Sequence, residues 1–315
     1  MREEIKEKLA PYFVIMAASL WGVDGIVLRP YLYQLPVTLV VLIETCLATL
    51  LMTPFFLRYF KRLRILNFKE WLALGAVALF GGAVGTLAIT RAIFYVNYVN
   101  LSVVVLIQKL QPVFAIALAA LLLKERLSKK FLKWAALALL GAYFMTFGWR
   151  LPNLFTGDKT VQAAGFAMLA TISFASSTVF SKRLLRRIDF HFATYLRFLV
   201  TAFIMLLIAL VSKTFPAIRQ ITSQQLLVFI LIVFSTGAPA IFLYYYGLRK
   251  IPASVATICE LSFPATAILL EYFVRHRLLD PVQWLGTFVL IFAIVRISLR
   301  MNEWKKEIKE ENVDN

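Results

Sequence analysis

Residues 225–247 read QLLVFILIVFSTGAPAIFLYYYG, an apolar run without a charged side chain. A helix needs about 20 mostly apolar residues to cross a hydrocarbon layer about 30 Å thick. Because the backbone inside that layer must satisfy its own hydrogen bonds, only helices and closed barrels span it. The run has the length of a helix, so it predicts a membrane-spanning α-helix.

Nine further apolar runs of similar length surround this stretch. The ten predicted spans cover residues 11–31, 36–57, 71–93, 102–123, 131–149, 163–181, 190–211, 225–247, 253–274 and 282–299. Of the 315 residues, 61% are hydrophobic and 16% are charged, against roughly 45–50% and 25% in soluble domains. We therefore predict an all-α integral membrane protein with ten transmembrane helices and short loops.

The net charge of +17 is better explained by membrane orientation than by nucleic-acid binding. Segments outside the spans are too short to form a basic domain, so nucleic acid is excluded as a partner. Lys and Arg concentrate in the N-terminus, in the loops after even-numbered spans and in the C-terminal tail. Cytoplasmic loops are enriched in these residues, so both termini are predicted to be cytoplasmic. The opposite loops hold only Arg29, Arg150, Lys159, Lys213, Arg219, Arg275 and Arg277.

Several landmarks recur in the second half of the chain, about 150 residues after their first appearance. They are Ser102 and Ser254, Pro112 and Pro264, Trp134 and Trp284, and the basic turns at 124–127 and 275–278. Each half holds an odd number of spans, so the second copy must be upside down. We predict two inverted five-helix repeats, 11–149 and 161–300, and a charged cytoplasmic tail at 301–315. Chance similarity between helices rich in Leu and Ala is the alternative.

Ionisable side chains inside the spans are the first candidates for function. A charge at mid-bilayer costs at least about 2.5–3.5 kcal/mol on insertion scales and therefore usually faces a cavity or a partner. In the repeat, Glu44 overlays Arg197 and Gln108 overlays Glu260, which predicts that both pairs lie near the pseudo-twofold axis. At about 1.5 Å of rise per residue, the deep charges are Asp24, Glu44, Lys109, Arg197 and Glu260, with Arg91 nearer the outer surface.

The fourth predicted span carries three polar side chains, Gln108, Lys109 and Gln111, immediately before Pro112. Proline has no N–H donor and leaves a carbonyl group one turn earlier unpaired. We predict helix kinks at Pro112 and at its counterpart Pro264. A kinked, polar helix segment inside a membrane predicts the lining of a cavity.

Three of the buried charges have competing interpretations. Lys109 lines the cavity, forms an ion pair with Asp24, Glu44 or Glu260, or extends to the membrane surface. Glu44 and Arg197 act in ion coupling or form a structural ion pair. Glu260 is the candidate proton carrier, because burial favours the protonated form of a carboxyl group. Sodium is the other candidate coupling ion.

Motifs of the common enzyme classes are absent from the sequence, including His-Glu-x-x-His, Gly-x-Ser-x-Gly, a phosphate-binding loop and Cys-x-x-Cys. We predict no catalytic site, no metal and no cofactor. Two alternatives to transport stay open. One is a non-transporting membrane scaffold or sensor, and the other is an intramembrane lipid-modifying enzyme, for which Asp189 and His191 are the only local candidates.

The chain resembles the drug/metabolite transporter superfamily, in particular its EamA-type ten-helix members. The residues that carry the resemblance are Ser19-Leu20-Trp21-Gly22, Asn100-Leu101-Ser102, Pro112-Val113-Phe114, Leu123-Lys124-Glu125-Arg126-Leu127 and Gly141. It implies a secondary carrier in a cell membrane, often an exporter of amino acids, metabolites or drugs. It also implies a central cavity lined by helices one, three, four, six, eight and nine. Two departures from the family pattern are His276, where a Glu usually recurs, and Glu44, where Arg is frequent.

These observations predict transport of a small molecule by alternating access, in which two inverted halves rock around a site at mid-membrane. A cavity with both carboxylates and cations slightly favours a zwitterion such as an amino acid. The predicted partners are the substrate, the lipid bilayer and a proton or sodium ion, in a monomer or homodimer. The predicted site consists of Trp21, Asp24, Gln108, Lys109, Gln111 and Glu260, with Arg91 and Tyr244 near its rims.

Overall fold

A computed structural model describes residues 2–95, 102–152, 159–276 and 278–310. Over these residues the regular structure is entirely helical, and ten helices are long and apolar enough to cross a membrane. They are α1 Glu7–Leu32, α2 Val37–Phe56, α3 Phe68–Ile93, α4 Val103–Leu122, α5 Lys129–Phe147, α6 Thr160–Leu184, α7 Phe190–Val211, α8 Ser223–Lys250, α9 Ala253–Val274 and α10 Pro281–Trp304. The predicted ten-helix membrane fold is confirmed. Beyond α10 the same helix continues to Glu310, into the predicted tail.

Five of these helices depart from regular α-helical geometry within the membrane. Widened π-helical turns occur at Asp24–Leu28 in α1, Val77–Val84 in α3 and Val233–Gly237 in α8, and α4 and α9 are each broken into two α-helical parts. Insertions of this kind are concentrated at functional sites. The irregular turns therefore mark where to look for a site.

The breaks in α4 and α9 lie just before a proline. The first part of α4 ends at Gln108, and its second part begins at Gln111 with Pro112 in the first turn. In α9 the corresponding residues are Cys259, Ser262 and Pro264. Tight turns bridge both gaps, with Leu110 N–H bonded to the carbonyl of Ile107 at 3.0 Å and Phe263 N–H to that of Glu260 at 3.0 Å.

Six helices form the centre of the molecule. Helix α1 packs against α8 and α9, helix α6 packs against α3 and α4, and α4 meets α9. The remaining helices form two pairs. The α2–α7 pair packs on α3 and α8, and the α5–α10 pair packs beside α1 and α9. The central six are the helices that the family resemblance implies as cavity lining.

The α5–α10 pair is held at backbone contact by glycines. A Cβ atom on Gly141 would lie 2.7 Å from the main-chain nitrogen of Leu290, and one on Gly286 would overlap the backbone at Met145. Small residues allow membrane helices to approach closely and gain van der Waals contact. The two glycines thus fix the distance between α5 and α10.

Candidate functional site

Glu260 lies in the break of α9, where side chains from three other helices donate hydrogen bonds to its carboxylate. Tyr244 Oη of α8 lies 2.6 Å from Oε1, and Thr178 Oγ1 of α6 lies 3.2 Å from the same oxygen. Gln111 Nε2 of α4 lies 3.0 Å from Oε2. Both oxygens therefore have donors, and a carboxylate at this position is solvated by the protein itself.

Helix α1 completes this cluster through Trp21. The indole ring lies 5.3 Å from the ring of Tyr244, with an interplanar angle of 53°. Arg197 of α7 is near enough for its charge to act on Glu260. Of the sequence-predicted site residues, the structure thus brings together Trp21, Gln111, Tyr244 and Glu260. We call these four residues and Thr178 the Glu260 cluster.

Arg197 belongs to a second set of polar contacts beside this cluster. Its Nη1 lies 3.3 Å from Tyr245 Oη, and its guanidinium lies over the Tyr245 ring, 5.7 Å from the centroid. Ser181 Oγ is 3.0 Å from the same hydroxyl. These contacts link α6, α7 and α8 next to the carboxylate.

The other polar residues of α4 face different surroundings. Gln108 Nε2 donates to Thr171 Oγ1 at 2.7 Å and to the carbonyl of Ala167 at 3.2 Å, both on α6. Lys109 lies in the break of α4 and is partly buried. Among the described side chains, none of the three carboxylates predicted as its ion-pair partners lies within salt-bridge distance. Arg91 is exposed on α3 and does not contact the Glu260 cluster.

Asp24, Arg29 and Glu44 form a separate charged cluster at the C-terminal end of α1, which we call the α1–α2 triad. Arg29 Nη2 and Nε lie 2.5 Å and 2.8 Å from Asp24 Oδ2. Arg29 Nη1 lies 3.3 Å from Glu44 Oε1. The side chains of Asp24 and Glu44 are only 10% and 15% exposed, and that of Arg29 is 31% exposed.

The triad corrects the expected pairing of charges. Glu44 pairs with Arg29 and not with Arg197, and Asp24 lies in the triad and not in the Glu260 cluster. The physical reason is the π-helical turn, in which Arg29 N–H bonds to the carbonyl of Asp24 five residues earlier. That turn brings the side chains of residues 24 and 29 onto one face. In a regular α-helix, residues five apart do not align.

Five residues of these polar contacts were not among the predicted site residues: Arg29, Thr171, Thr178, Ser181 and Tyr245. Arg29 was counted with the charges of the outer loops because it lies at the end of the first predicted span. Thr171 and Thr178 share α6 with several other hydroxyl residues, an unusual density for an apolar span. That density is the signal from which they could have been found.

The alternatives to a transport site find little support in the geometry. Asp189 accepts a hydrogen bond from Arg249 at 3.0 Å, and the His191 ring packs on Phe190 with centroids 3.7 Å apart. Within the described ranges, no group of three or more His, Cys, Asp or Glu residues is placed to hold a metal ion. The polar groups that do converge lie within the candidate spans, at the Glu260 cluster and the α1–α2 triad.

Comparison with known proteins assigns this architecture to a family. The model of the EamA-like transporter family matches residues 8–147 and again residues 162–299. The chain belongs to the EamA-like transporter family. Its membership confirms the resemblance found in the sequence. It also identifies the chain as a transporter and not an enzyme, located as a multi-pass protein in the cell membrane.

Relatives of this EamA-like protein include a transporter with a named substrate. The chain is 44% identical over 286 residues to riboflavin transporter ImpX of Fusobacterium nucleatum, covering 90% of this chain and 96% of that protein. It is 25% identical over 242 residues to an uncharacterized transporter of Synechocystis, covering 74% and 67%. A solved crystal structure shares the fold, with a TM-score of 0.72 and 16% identity over 90% of this chain and 94% of the other.

Proposed function

We propose that this transporter carries riboflavin or a closely related flavin across the cell membrane. The observation that carries the proposal is the 44% identity to a riboflavin transporter over nearly the full length of both proteins. The Glu260 cluster supports it independently, because its chemistry suits a flat, uncharged ring with polar edges. This substrate takes the place of the zwitterion favoured by the sequence alone.

The flavin ring system presents a broad aromatic face and an edge with one N–H donor between two carbonyl acceptors. Trp21 and Tyr244 offer aromatic surfaces for the face, since aromatic rings gain about 0.5–1.5 kcal/mol beyond area burial when they pack on one another. Gln111 carries both an amide donor and an acceptor, and Glu260 accepts only. We expect Glu260 to accept from the flavin N–H, and the Gln111 amide, which already donates one N–H to Glu260, to donate its other N–H to one of the two carbonyls.

Lys109 adds a donor that has no described acceptor within the protein. A buried ammonium group without a partner is costly in a membrane, so a substrate carbonyl at the break of α4 would stabilise it. Gln108 is already bonded to α6 and holds this break in position. We assign Lys109 to substrate contact and Gln108 to positioning, with Arg91 at the rim.

We propose alternating access between two inverted repeats as the mechanism. The family model matches each half of the chain once. The contacts of α1 with α8 and α9 are repeated by those of α6 with α3 and α4, as a pseudo-twofold axis requires. Lys124 and His276, which follow the broken helices, both have positive φ angles, 54° and 52°. Substrate sites of inverted-repeat carriers lie at the repeat interface near mid-membrane.

We also propose that both termini lie in the cytoplasm, as the charges of the loops predict. Two single-cysteine variants, Arg150→Cys and Glu303→Cys, test this orientation. Arg150 is exposed between α5 and α6, and Glu303 lies near the end of α10. A membrane-impermeant thiol reagent added to intact cells should label the first position and spare the second. A Cys46→Ser, Cys259→Ser background removes the two native thiols.

Riboflavin transport is tested with purified protein in liposomes. Labelled riboflavin outside should exchange with unlabelled riboflavin inside faster than in protein-free liposomes. Lumichrome, which has the ring without the ribityl chain, should compete, and ribitol should not. The same liposomes, loaded with riboflavin to measure release or left empty to measure uptake, give the direction of transport. Efflux is the direction that the family resemblance predicts.

The matched control is the Fusobacterium relative, prepared in the same way. If the relative exchanges riboflavin and this protein does not, the proposed substrate is refuted. Glu260→Gln and Tyr244→Phe should each lower exchange at least tenfold if the cluster binds the substrate. If both variants keep full exchange, transport takes place at another site.

A further inference from the structure

The α1–α2 triad contains two carboxyl groups and one guanidinium. Asp24 and Glu44 both contact Arg29, so the fully ionised triad carries one uncompensated negative charge. An unpaired charge removed from water costs several kcal/mol even after relaxation. A positive partner or the loss of one negative charge would remove this cost.

Asp24 Oδ1 is buried without a hydrogen-bond partner in the described structure, and Glu44 Oε1 has an ion-pair contact with Arg29 Nη1 at 3.3 Å that lacks hydrogen-bond geometry. A buried carboxylate oxygen without a donor is rare and needs an explanation. Glu260 shows the contrast within the same protein, because both its oxygens accept hydrogen bonds. Arg29 is thus the one described donor for both carboxyl groups of the triad, whereas Glu260 has donors from three helices. A carboxyl group that binds a proton becomes such a donor.

Among the described residues, no cation other than Arg29 forms an ion pair with Asp24 or Glu44. The charges that act on Glu44 are those of Arg29 and Asp24. The turn of Asp24 packs against α9, whose described titratable side chains include Glu271 and Tyr272, and against the first part of α8, Ser223–Ile232, which carries no charged residue. The deficit is thus internal to the triad.

The triad is also partly exposed on one side and includes an irregular turn. The Arg29 side chain is 31% exposed, whereas its two carboxyl partners are largely buried. Asp24 begins a π-helical turn that has no counterpart in α6, its equivalent in the second half, which is α-helical from Thr160 to Leu184. The group is therefore built into one half only, on the helix that carries Trp21.

We propose that Asp24 and Glu44 share one proton and that the exchange of this proton with water drives flavin transport. The proton enters beside Arg29, binds to one carboxyl oxygen and is donated to the other carboxyl group. Its release restores the negative charge, which draws Arg29 closer to both partners and shifts the C-terminal end of α1 against α2. Coupling to flavin movement rests on the proposed function, but proton binding by the triad does not.

Proton binding is tested without substrate, by infrared difference spectroscopy of the purified protein in lipid nanodiscs between acidic and alkaline pH. The wild type should show the carbonyl stretch of a protonated carboxyl group that disappears at alkaline pH. The part of this band that comes from the triad should be missing in Glu44→Gln, whereas Glu260 and the other carboxyl groups contribute equally in both proteins. Thr45→Val is the matched control, because Thr45 bonds only to carbonyl groups of its own helix, and it should keep the band. A wild type without a titrating band, or a Glu44→Gln variant that retains it, overturns the proposal.

Coupling is tested in liposomes with an imposed pH gradient. One proton per flavin gives about tenfold accumulation per pH unit at equilibrium. Glu44→Gln and Asp24→Asn should keep exchange of labelled for unlabelled flavin but lose this accumulation, so that the ratio falls to one. Retained exchange also shows that the variants are folded. Accumulation in Glu44→Gln equal to that of the wild type refutes the coupling. A wild type that carries no flavin refutes the proposed function, and the infrared result then decides the proton site alone.

Discussion

Replacing Glu125 tests how the loop after α4 holds the start of α9. The Glu125 carboxylate accepts hydrogen bonds from the N–H of Ala253 at 2.7 Å, the N–H of Ser254 at 3.1 Å and the hydroxyl of Ser254 at 2.7 Å. The residue at the cap position of α9 is Pro252, whose side chain makes no cap hydrogen bond. Glu125, in the loop after α4, therefore caps the N-terminus of α9 in place of a side chain at residue 252.

The magnitude follows from these three bonds. Hydrogen bonds to a charged group contribute about 1.5–3 kcal/mol each, and losing a helix N-cap costs about 0.5–2 kcal/mol. Glu125 is only partly buried, so water replaces some of what is lost. We expect Glu125→Ala to lower the free energy of unfolding by about 2–3 kcal/mol and Glu125→Gln by about 1 kcal/mol, because an amide oxygen can still accept.

Thermal unfolding in detergent, followed with a thiol-reactive dye at the buried Cys259, measures the effect. At about 2–4 °C per kcal/mol, Glu125→Ala should lower Tm by about 4–12 °C. Glu303→Ala is the matched control, since Glu303 is exposed and its one ion pair in the described part of the chain is with Arg300, one turn earlier. Equal Tm values for wild type and Glu125→Ala would refute the capping role.

Three further substitutions test other contacts. Tyr244→Phe removes the 2.6 Å bond to Glu260 and should weaken flavin binding by about 1–3 kcal/mol, measured by flavin fluorescence quenching; unchanged affinity would exclude the hydroxyl from the site. Gly141→Val should unfold or strongly destabilise the protein, because a Cβ atom at residue 141 has no space. Gly165→Ala is the control and should be neutral, because a Cβ atom at residue 165 meets open space. Size-exclusion chromatography and Tm distinguish the two variants. Lys182→Met removes an ammonium group bonded to two carbonyls at the end of α8 and should lower Tm by about 4–8 °C. A Tm within 1 °C of the wild type would contradict a stabilising role for these two hydrogen bonds.

The ten spans could be predicted because insertion into lipid depends on hydropathy and length, which the sequence shows directly. Their ends were less well predicted, since helices continue beyond the hydrocarbon layer where the sequence turns polar. The final helix runs to Glu310, and the first begins at Arg2. In both cases charged residues that read as a tail are compatible with helix, because Glu, Lys and Arg are good helix formers.

The site was only partly predictable, for a geometric reason. A span drawn as an ideal helix gives depth and face correctly only as long as it stays α-helical. That is why Trp21, which precedes the irregular turn of α1, could be grouped with Glu260, while Asp24, at the start of that turn, could not be placed. The π-helical turn after Val23 rotates Asp24 and Arg29 relative to the preceding turns. No residue type in Asp24–Leu28 predicts such a turn.

The two buried carboxylate sites therefore differ in what they can do. Glu260 has donors on both oxygens from three helices, so its charge is stabilised by the same residues that would have to open for a substrate to enter. The triad has one guanidinium for two carboxyl groups and a buried Asp24 oxygen without a described donor, so we expect its charge state to change without a substrate. In the proposed mechanism the Glu260 cluster binds the substrate and the triad responds to the driving ion. Since α1 carries both Trp21 and Asp24, a change at the triad would reach the proposed substrate site through a single helix.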